Sequence, residues 1–283
     1  MLGFSVLSVG DGVIKSMAGD WPAHAVAALR FSIGAVGLSL LLLRSEGPKA
    51  FVPQNPWLQL GRGVCLAMAS LSFFSAIYIM PLAEAMAIAF LSPVLTQLLA
   101  GALLGEKVRS VVWGVSIVAL VGVAIILRPN LAELGWAALL PLLAAFFFAL
   151  MVVLNRASAG QGSALSMQVF IAGVAAPILI VAATAFQFSG VPEFGFGWPS
   201  WDVVARCAIV AVTASTAHWL AYLGTSRAGA AQVAPAIYVQ MLVVIVIGWW
   251  WFGDKPDLLT LAGAGLIIAA GLYLWRDGLR RTA

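Results

Sequence analysis

The chain has 283 residues, 63% hydrophobic and 9% charged, where a soluble domain carries about 25% charged residues. Fifteen basic and eleven acidic side chains cannot cover a water-facing surface of this length, so a soluble globular protein is excluded and a polytopic membrane protein is expected. The net charge of +4 comes from scattered residues with no basic run, which excludes a nucleic-acid footprint.

A hydrocarbon core of about 30 Å needs roughly 20 apolar residues per helix. Breaking the chain at its charges and Gly/Pro clusters predicts ten spans, at about 1–17, 24–44, 60–79, 82–104, 110–127, 134–156, 164–187, 203–226, 229–252 and 258–275. The first lacks a basic leading region and reads as a retained helix, not a signal peptide. Its Asp11 and Lys15 are one turn apart and are expected to neutralise each other. The second span carries Arg30, a charge that costs roughly 2.5–3.5 kcal/mol at membrane depth. A fixed ion pair with Asp11 or Asp20, or a carbonyl cap, is the favoured account of it; capture of a substrate carboxylate is the alternative.

In the third span Ser70, Phe74 and Tyr78 recur every four residues and share one stripe. In the fourth, Glu84 follows Pro81 and suits the positive end of its helix, while Met86, Phe90, Pro93 and Gln97 share a face. Gly101, Gly105, Gly114 and Gly122 allow close helix packing, for a scaffold or a dimer contact. Asn155 and Gln168 lie near the ends of the sixth and seventh spans. The eighth carries His218 and Tyr222, with Trp219 adjacent and of undecided facing. The ninth carries Tyr238 and Pro235. Pro93, Pro177 and Pro235 interrupt helices and are candidate bending points. Segments 45–59 and 188–202, rich in Pro, Gly and aromatics, read as ordered interfacial turns. Cys65 and Cys207 fall inside apolar segments and read as small core residues.

With the N-terminus inside, the inner loops and tail hold ten Lys and Arg, and the outer side holds four, Lys15, Arg128, Arg206 and Lys255. Both termini are therefore expected to be cytoplasmic. The fourth span ends in Gly105-Glu106-Lys107 and the ninth in Gly253-Asp254-Lys255, 148 positions later. The same shift places Phe74 on Tyr222 and Phe90 on Tyr238. The expected architecture is all-α: two five-span copies, 1–129 and 130–283, the second entering the membrane inverted. Such repeats recur in secondary transporters, with solute bound between the copies.

The stretches "PAHAVAALRFSIGAVGLSLLLL" (22–43) and "SAIYIMPLAEAMAIAFLSPVLTQLLAGALLGEKVRSVVWGVSIVALVGVAIILRP" (75–129) resemble the EamA family of the drug/metabolite transporter superfamily. Leu29-Arg30-Phe31, Pro93 and Gly105-Glu106 with the glycine-bearing span behind it carry the resemblance. It weakens in the second copy, where Gly-Asp replaces Gly-Glu and the mid-helix proline moves to Pro235. The resemblance implies ten helices with both ends cytoplasmic, and within the family the chain is most similar to bacterial exporters of aromatic amino acids.

The expected activity is thus export of aromatic amino acids or similar amphipathic metabolites across the bacterial inner membrane. Ser70, Phe74, Tyr78, Phe90, Gln97, His218, Trp219, Tyr222 and Tyr238 are the candidate substrate-binding residues, a wall suited to a planar amphipathic solute. Arg30, Pro93, Pro235, Glu106 and Asp254 are expected to be structural or gating. No ATP-binding GxxxxGK[ST] loop is present, and few ionisable groups fall at the membrane centre. Uniport is favoured over a proton-coupled multidrug or metabolite exporter. An integral-membrane enzyme is disfavoured, because the two histidines, His24 and His218, lie on different spans and there is no paired acidic motif. No cofactor or metal is expected; the partners are a small-molecule substrate, the bilayer and, through the small-residue faces, a second copy of the chain.

Overall fold

Lipid offers backbone groups no hydrogen-bond partner, so a chain of this composition must satisfy them within helices. The computed structural model describes residues 2–105, 110–228 and 239–279, and its elements are helical. They are α1 (Leu2–Lys15), α2 (Ala23–Ser45), α3 (Pro56–Ile79), α4 (Leu82–Ala89), α5 (Ser92–Leu104), α6 (Ser110–Leu134), α7 (Leu140–Ala157), α8 (Ala164–Gln187), α9 (Trp201–Ala228), α10 (Val239–Phe252) and α11 (Leu258–Leu279). Among the described residues seven helical segments are long and apolar enough to cross a membrane. Helices α1, α9 and α10 fall on the remaining expected spans without being among those seven.

Helix starts use the capping chemistry their sequences offer. Asn55 accepts a 3.1 Å bond from the Leu58 amide just before Pro56, and Ser163 accepts from Ser166 at 3.0 Å. Asp257 accepts from the Thr260 amide at 2.6 Å, and its bonds to Thr260 hold the exposed carboxyl below its ordinary value. The fourth expected span is two helices instead of one. It breaks at Phe90–Leu91, so that Pro93 falls in the first turn of α5, where its missing N–H costs nothing. Consequently the expected stripe of Met86, Phe90, Pro93 and Gln97 does not run along a single helix. Met86 and Phe90 are buried and Gln97 is exposed.

The packing partners are α2 with α8, α6 with α11, α3 with α7 and α8, α1 with α9 and α10, α2 with α9, and α5 with α7. Small residues set the closest approaches. A Cβ on Gly122 of α6 would lie 2.7 Å from the Gly263 carbonyl oxygen of α11, and one on Gly263 would lie 2.7 Å from the Gly122 oxygen. A Cβ on Gly63 of α3 would collide with the Val174 side chain of α8. Outward faces are apolar: Leu40, Ile117, Val212 and Trp250 are all exposed, as a lipid-facing surface requires. The two aromatic-rich connections are ordered, each containing a 3-10 turn, Pro48–Phe51 and Pro192–Phe194. In the second, Phe194 and Phe196 pack on His24, and His24 Nε2 donates to the Phe194 carbonyl at 3.2 Å.

The glycine contact gives a direct test. Gly122→Val and Gly263→Val are each expected to lower stability by about 1–3 kcal/mol through overpacking. Gly114→Ala, whose added methyl would meet nothing within 4 Å, is expected to leave stability unchanged or raise it. Thermal denaturation of the three variants in detergent checks this.

Candidate functional site

Helix α1 brings the first acid inward. Asp11 is flanked by glycines, and these let α1 settle against two neighbours. A Cβ on Gly10 would lie 2.9 Å from Thr213 Oγ1 of α9, and one on Gly12 would lie 2.8 Å from Ile247 of α10. Asp11 is thereby buried, at 9% exposure. It interacts electrostatically with Arg30 of α2. The Arg30 guanidinium carbon stands 4.2 Å from the Phe31 ring centroid and 5.7 Å from that of Phe74 on α3, both within cation–π range. Phe31 and Phe74 are buried, and Arg30 itself is half-buried.

One turn beyond Phe74, Tyr78 buries its hydroxyl without a hydrogen-bond partner among the described residues. Cys207 of α9 lies near both Arg30 and Tyr78. Arg30, Tyr78, Phe74 and Asp11 therefore belong to one interior cluster drawn from α1, α2 and α3, closed on one side by α9. Ser70 lies one turn below Phe74 on the same helix and is half-buried. Glu106, Pro235 and Tyr238 lie outside the described residues, as do the side chains of His218, Trp219 and Tyr222.

The remaining charges form clamps. Lys15 does not neutralise Asp11. Its Nζ donates instead to Asp254 Oδ2 at 2.6 Å and to the Met80 carbonyl at 3.2 Å, and it stands 5.1 Å from the centroid of Phe252. Asp254 also accepts from the Leu82 amide at 3.4 Å. The Gly253-Asp254 signature that ends α10 thus ties α1 to the α3–α4 junction. Gly253, at φ 70°, makes the left-handed turn that swings Asp254 there. Asp20, the other expected partner of Arg30, is held by Arg206, which donates to it at 2.5 Å, to Asp202, and to the Ser16 carbonyl at 2.8 Å.

Arg62, counted by position among the ten basic residues of the inner side, is buried within α3. It donates to Asn155 Oδ1 of α7 at 2.6 Å, to Gln59, and to the Met167 sulfur of α8 at 3.4 Å. Both cysteines are free and buried. Sequence reasoning named Asp11 as a candidate partner of Arg30 but did not place it among the substrate-site residues. The Gly10-Asp11-Gly12 triplet inside an apolar span was the available signal, since glycines on both sides of an acid permit close burial of it.

An all-helical bundle with lipid-ready outer faces and charged side chains turned inward is a multi-pass integral membrane protein. The sequence model of the EamA-like transporter family matches residues 3–128 and again residues 135–276. The chain belongs to that family. It is 27% identical over 246 residues to a riboflavin transporter of Rhizobium johnstonii, covering 86% of this chain and 78% of the relative. It is 27% identical over 267 residues to an S-adenosylmethionine uptake transporter of Rickettsia bellii, covering 94% and 88%. It is 28% identical over 278 residues to the pseudopaline exporter CntI of Pseudomonas aeruginosa, covering 95% and 92%. A solved crystal structure superposes with a TM-score of 0.60 over 97% of this chain and 96% of that one, at 20% identity, a likeness of fold. The family and these relatives are transporters of small molecules rather than enzymes.

The Lys15–Asp254 clamp is partly buried, with side chains 13% and 20% exposed, so removing one partner should cost more than removing both. Asp254→Leu is expected to destabilise by about 1–3 kcal/mol. The Lys15→Met/Asp254→Leu double variant is expected to lose less than the sum of the singles. A double-mutant cycle on detergent-solubilised protein checks this.

Proposed function

We propose that the protein is a secondary transporter that exports aromatic amino acids or similar amphipathic small metabolites across the bacterial inner membrane. It works by alternating access between two inverted five-span copies, 1–129 and 130–283, with both termini cytoplasmic. The observation that carries this reading is the interior cluster itself: the buried Tyr78 hydroxyl, with no hydrogen-bond partner among the described residues, lies one turn from the buried Phe74 where the two segments meet. Tyr78 comes from the first segment and Cys207 from the second.

The packing pattern supports the repeat. Helix α1 packs on α9 as α7 packs on α3; α2 packs on α9 as α8 packs on α3; α1 packs on α10 as α7 packs on α5. Pairs α2–α8 and α6–α11 map onto themselves under the same exchange. The double family match, at 3–128 and 135–276, follows the same division. Rocking of such copies about a shared site is a recurring mode of secondary transport. Phe74 and Tyr78 supply a flat, polarisable wall to which an aromatic solute can stack. The relatives include proteins named for uptake and one named for export, and export is the direction proposed for this chain.

Uniport is the proposed energetics. A second reading, proton-coupled transport, is favoured by one observation, the burial of the Asp11 carboxylate within the bundle. Intramembrane acids are common in proton relays.

Uptake of labelled phenylalanine, tryptophan and threonine into proteoliposomes, with and without a pH gradient, separates these readings. Saturable aromatic uptake without a gradient is expected. Strict dependence on the gradient, lost in Asp11→Asn, selects the coupled mechanism. Tyr78→Ala, Tyr222→Ala and Tyr238→Ala are each expected to reduce aromatic flux roughly tenfold, the scale of a lost stacking contact with its buried area. Full flux in all three removes the proposed wall.

A further inference from the structure

We propose that Arg62 and Arg206 are opposed latches, one closing each end of the bundle, and that the protein alternates by opening one while the other stays shut. The inference rests on the transport reading, whose site the two latches bracket.

The two arginines stand in corresponding places. Arg62 is the seventh residue of α3 and Arg206 the sixth of α9, helices that correspond under the exchange of the two copies. Each uses an acceptor one turn back on its own helix, Gln59 for Arg62 and Asp202 for Arg206. Each then reaches across to the other copy, at the end of its first helix. Arg62 Nε donates at 2.6 Å to Oδ1 of Asn155, third from the end of α7. Arg206 donates at 2.8 Å to the carbonyl of Ser16, the residue after α1, and at 2.5 Å to Asp20. A guanidinium fork binds several acceptors in fixed directions and so holds their helices in register.

The latches lie at opposite ends of the bundle. Lys15 ends α1 and donates to the Met80 carbonyl just past α3, so the Arg206 contact with Ser16 sits at the same end as the last turn of α3. Arg62 is near the start of α3, about 26 Å along the helix from Ile79 at its end. Phe74 of the proposed wall falls between, about 18 Å further along α3 than Arg62. With both termini cytoplasmic, Arg62 closes the inner end and Arg206 the outer. Both latches are engaged in this structure, the form that an alternating bundle passes through between its open states.

Their chemistry differs. Arg62 is 4% exposed, and its acceptors, Gln59, Asn155 and the Met167 sulfur, are neutral. Arg206 donates to two carboxylates, Asp20 and Asp202, and all three side chains reach water. Burial strips hydration from the Arg62 guanidinium, and water entering an opened inner end restores it. Opening at Arg206 restores less hydration and separates opposite charges. The inner end is therefore the easier to open, which suits a protein that loads its solute from the cytoplasm.

Two native thiols report on the two ends. Cys65 lies one turn beyond Arg62 and packs with Met151 of α7 and Ile171 of α8. Cys207 follows Arg206, and its sulfur is 3.9 Å from that of Met17. Both are buried. The rate at which a charged, water-soluble maleimide labels each thiol is measured by mass spectrometry on the full chain in nanodiscs. Asn155→Leu removes the inner acceptor. It is expected to speed Cys65 labelling roughly tenfold, the scale of one lost hydrogen bond to a charged group, and to slow Cys207 labelling. The Asp20→Asn/Asp202→Asn variant is expected to do the opposite. Asn155→Asp sets a carboxylate against Arg62 and is expected to slow Cys65 labelling and speed that of Cys207, so the test stands even if Asn155→Leu does not fold. Faster labelling of one thiol with the other unchanged, or of both together, is local loosening and overturns the latch pair. So do unchanged rates in all variants. Flux of labelled phenylalanine is measured in parallel in proteoliposomes. Reciprocal labelling without flux overturns the transport reading and leaves the latches standing; flux with non-reciprocal labelling does the reverse.

Discussion

Hydrocarbon cannot accept or donate a hydrogen bond, and this constraint governs every interruption in the bundle. The junction between α3 and α4 leaves the Met80 carbonyl and the Leu82 amide outside helical pairing. Lys15 and Asp254 fill both needs while bonding to each other. One ion pair thereby joins the end of the first helix, a helix junction in the middle of the chain, and the end of α10. The position of α1, and with it the depth of Asp11, depends on this junction being closed.

Much of the architecture was legible because the bilayer restricts it so strongly. Apolar run lengths placed the helices, and the proline at 93 announced an interruption in the fourth span. The site of the break was not legible. Proline fixes what cannot follow it in a helix, but the chain separates two residues earlier, where Phe90 and Leu91 turn so that Pro93 can occupy a helical start. The Gly-acid-Lys signature was visible at the ends of the fourth and ninth spans, yet the partner of Asp254 was not. Lys15 lies 239 positions away, and helical periodicity carries no information about such pairings.

The same limit applies to the interior cluster. Local spacing put Asp11 with Lys15, because residues four apart on a helix are neighbours. Tertiary packing overrode it: the flanking glycines draw one face of α1 into the groove between α9 and α10, and Lys15 reaches past the helix end to another acid. Arg30 was visible as an isolated charge in an apolar span, and its aromatic neighbour Phe31 is adjacent in sequence. That Phe74 stands on the other side, and that Arg62 is a buried hub linking Gln59, Asn155 and Met167, required the fold. Arg62 and Arg30 differ instructively. Arg62 donates to three neighbours and knits three helices, whereas the Arg30 donors have no such partners among the described residues.

The crossing of α6 and α11 has a different character from the rest of the interior. Where Gly122 meets Gly263 the contact is main chain against main chain, with no side chain to change rotamer and absorb displacement. Such a seam resists gradual deformation: the two helices can pivot about the point of closest approach or separate altogether, with little between. Any change of shape that preserves this seam must keep it near the axis of rotation, so the largest excursions fall on helices far from it, and acyl chains find no gap there through which to wedge the two segments apart.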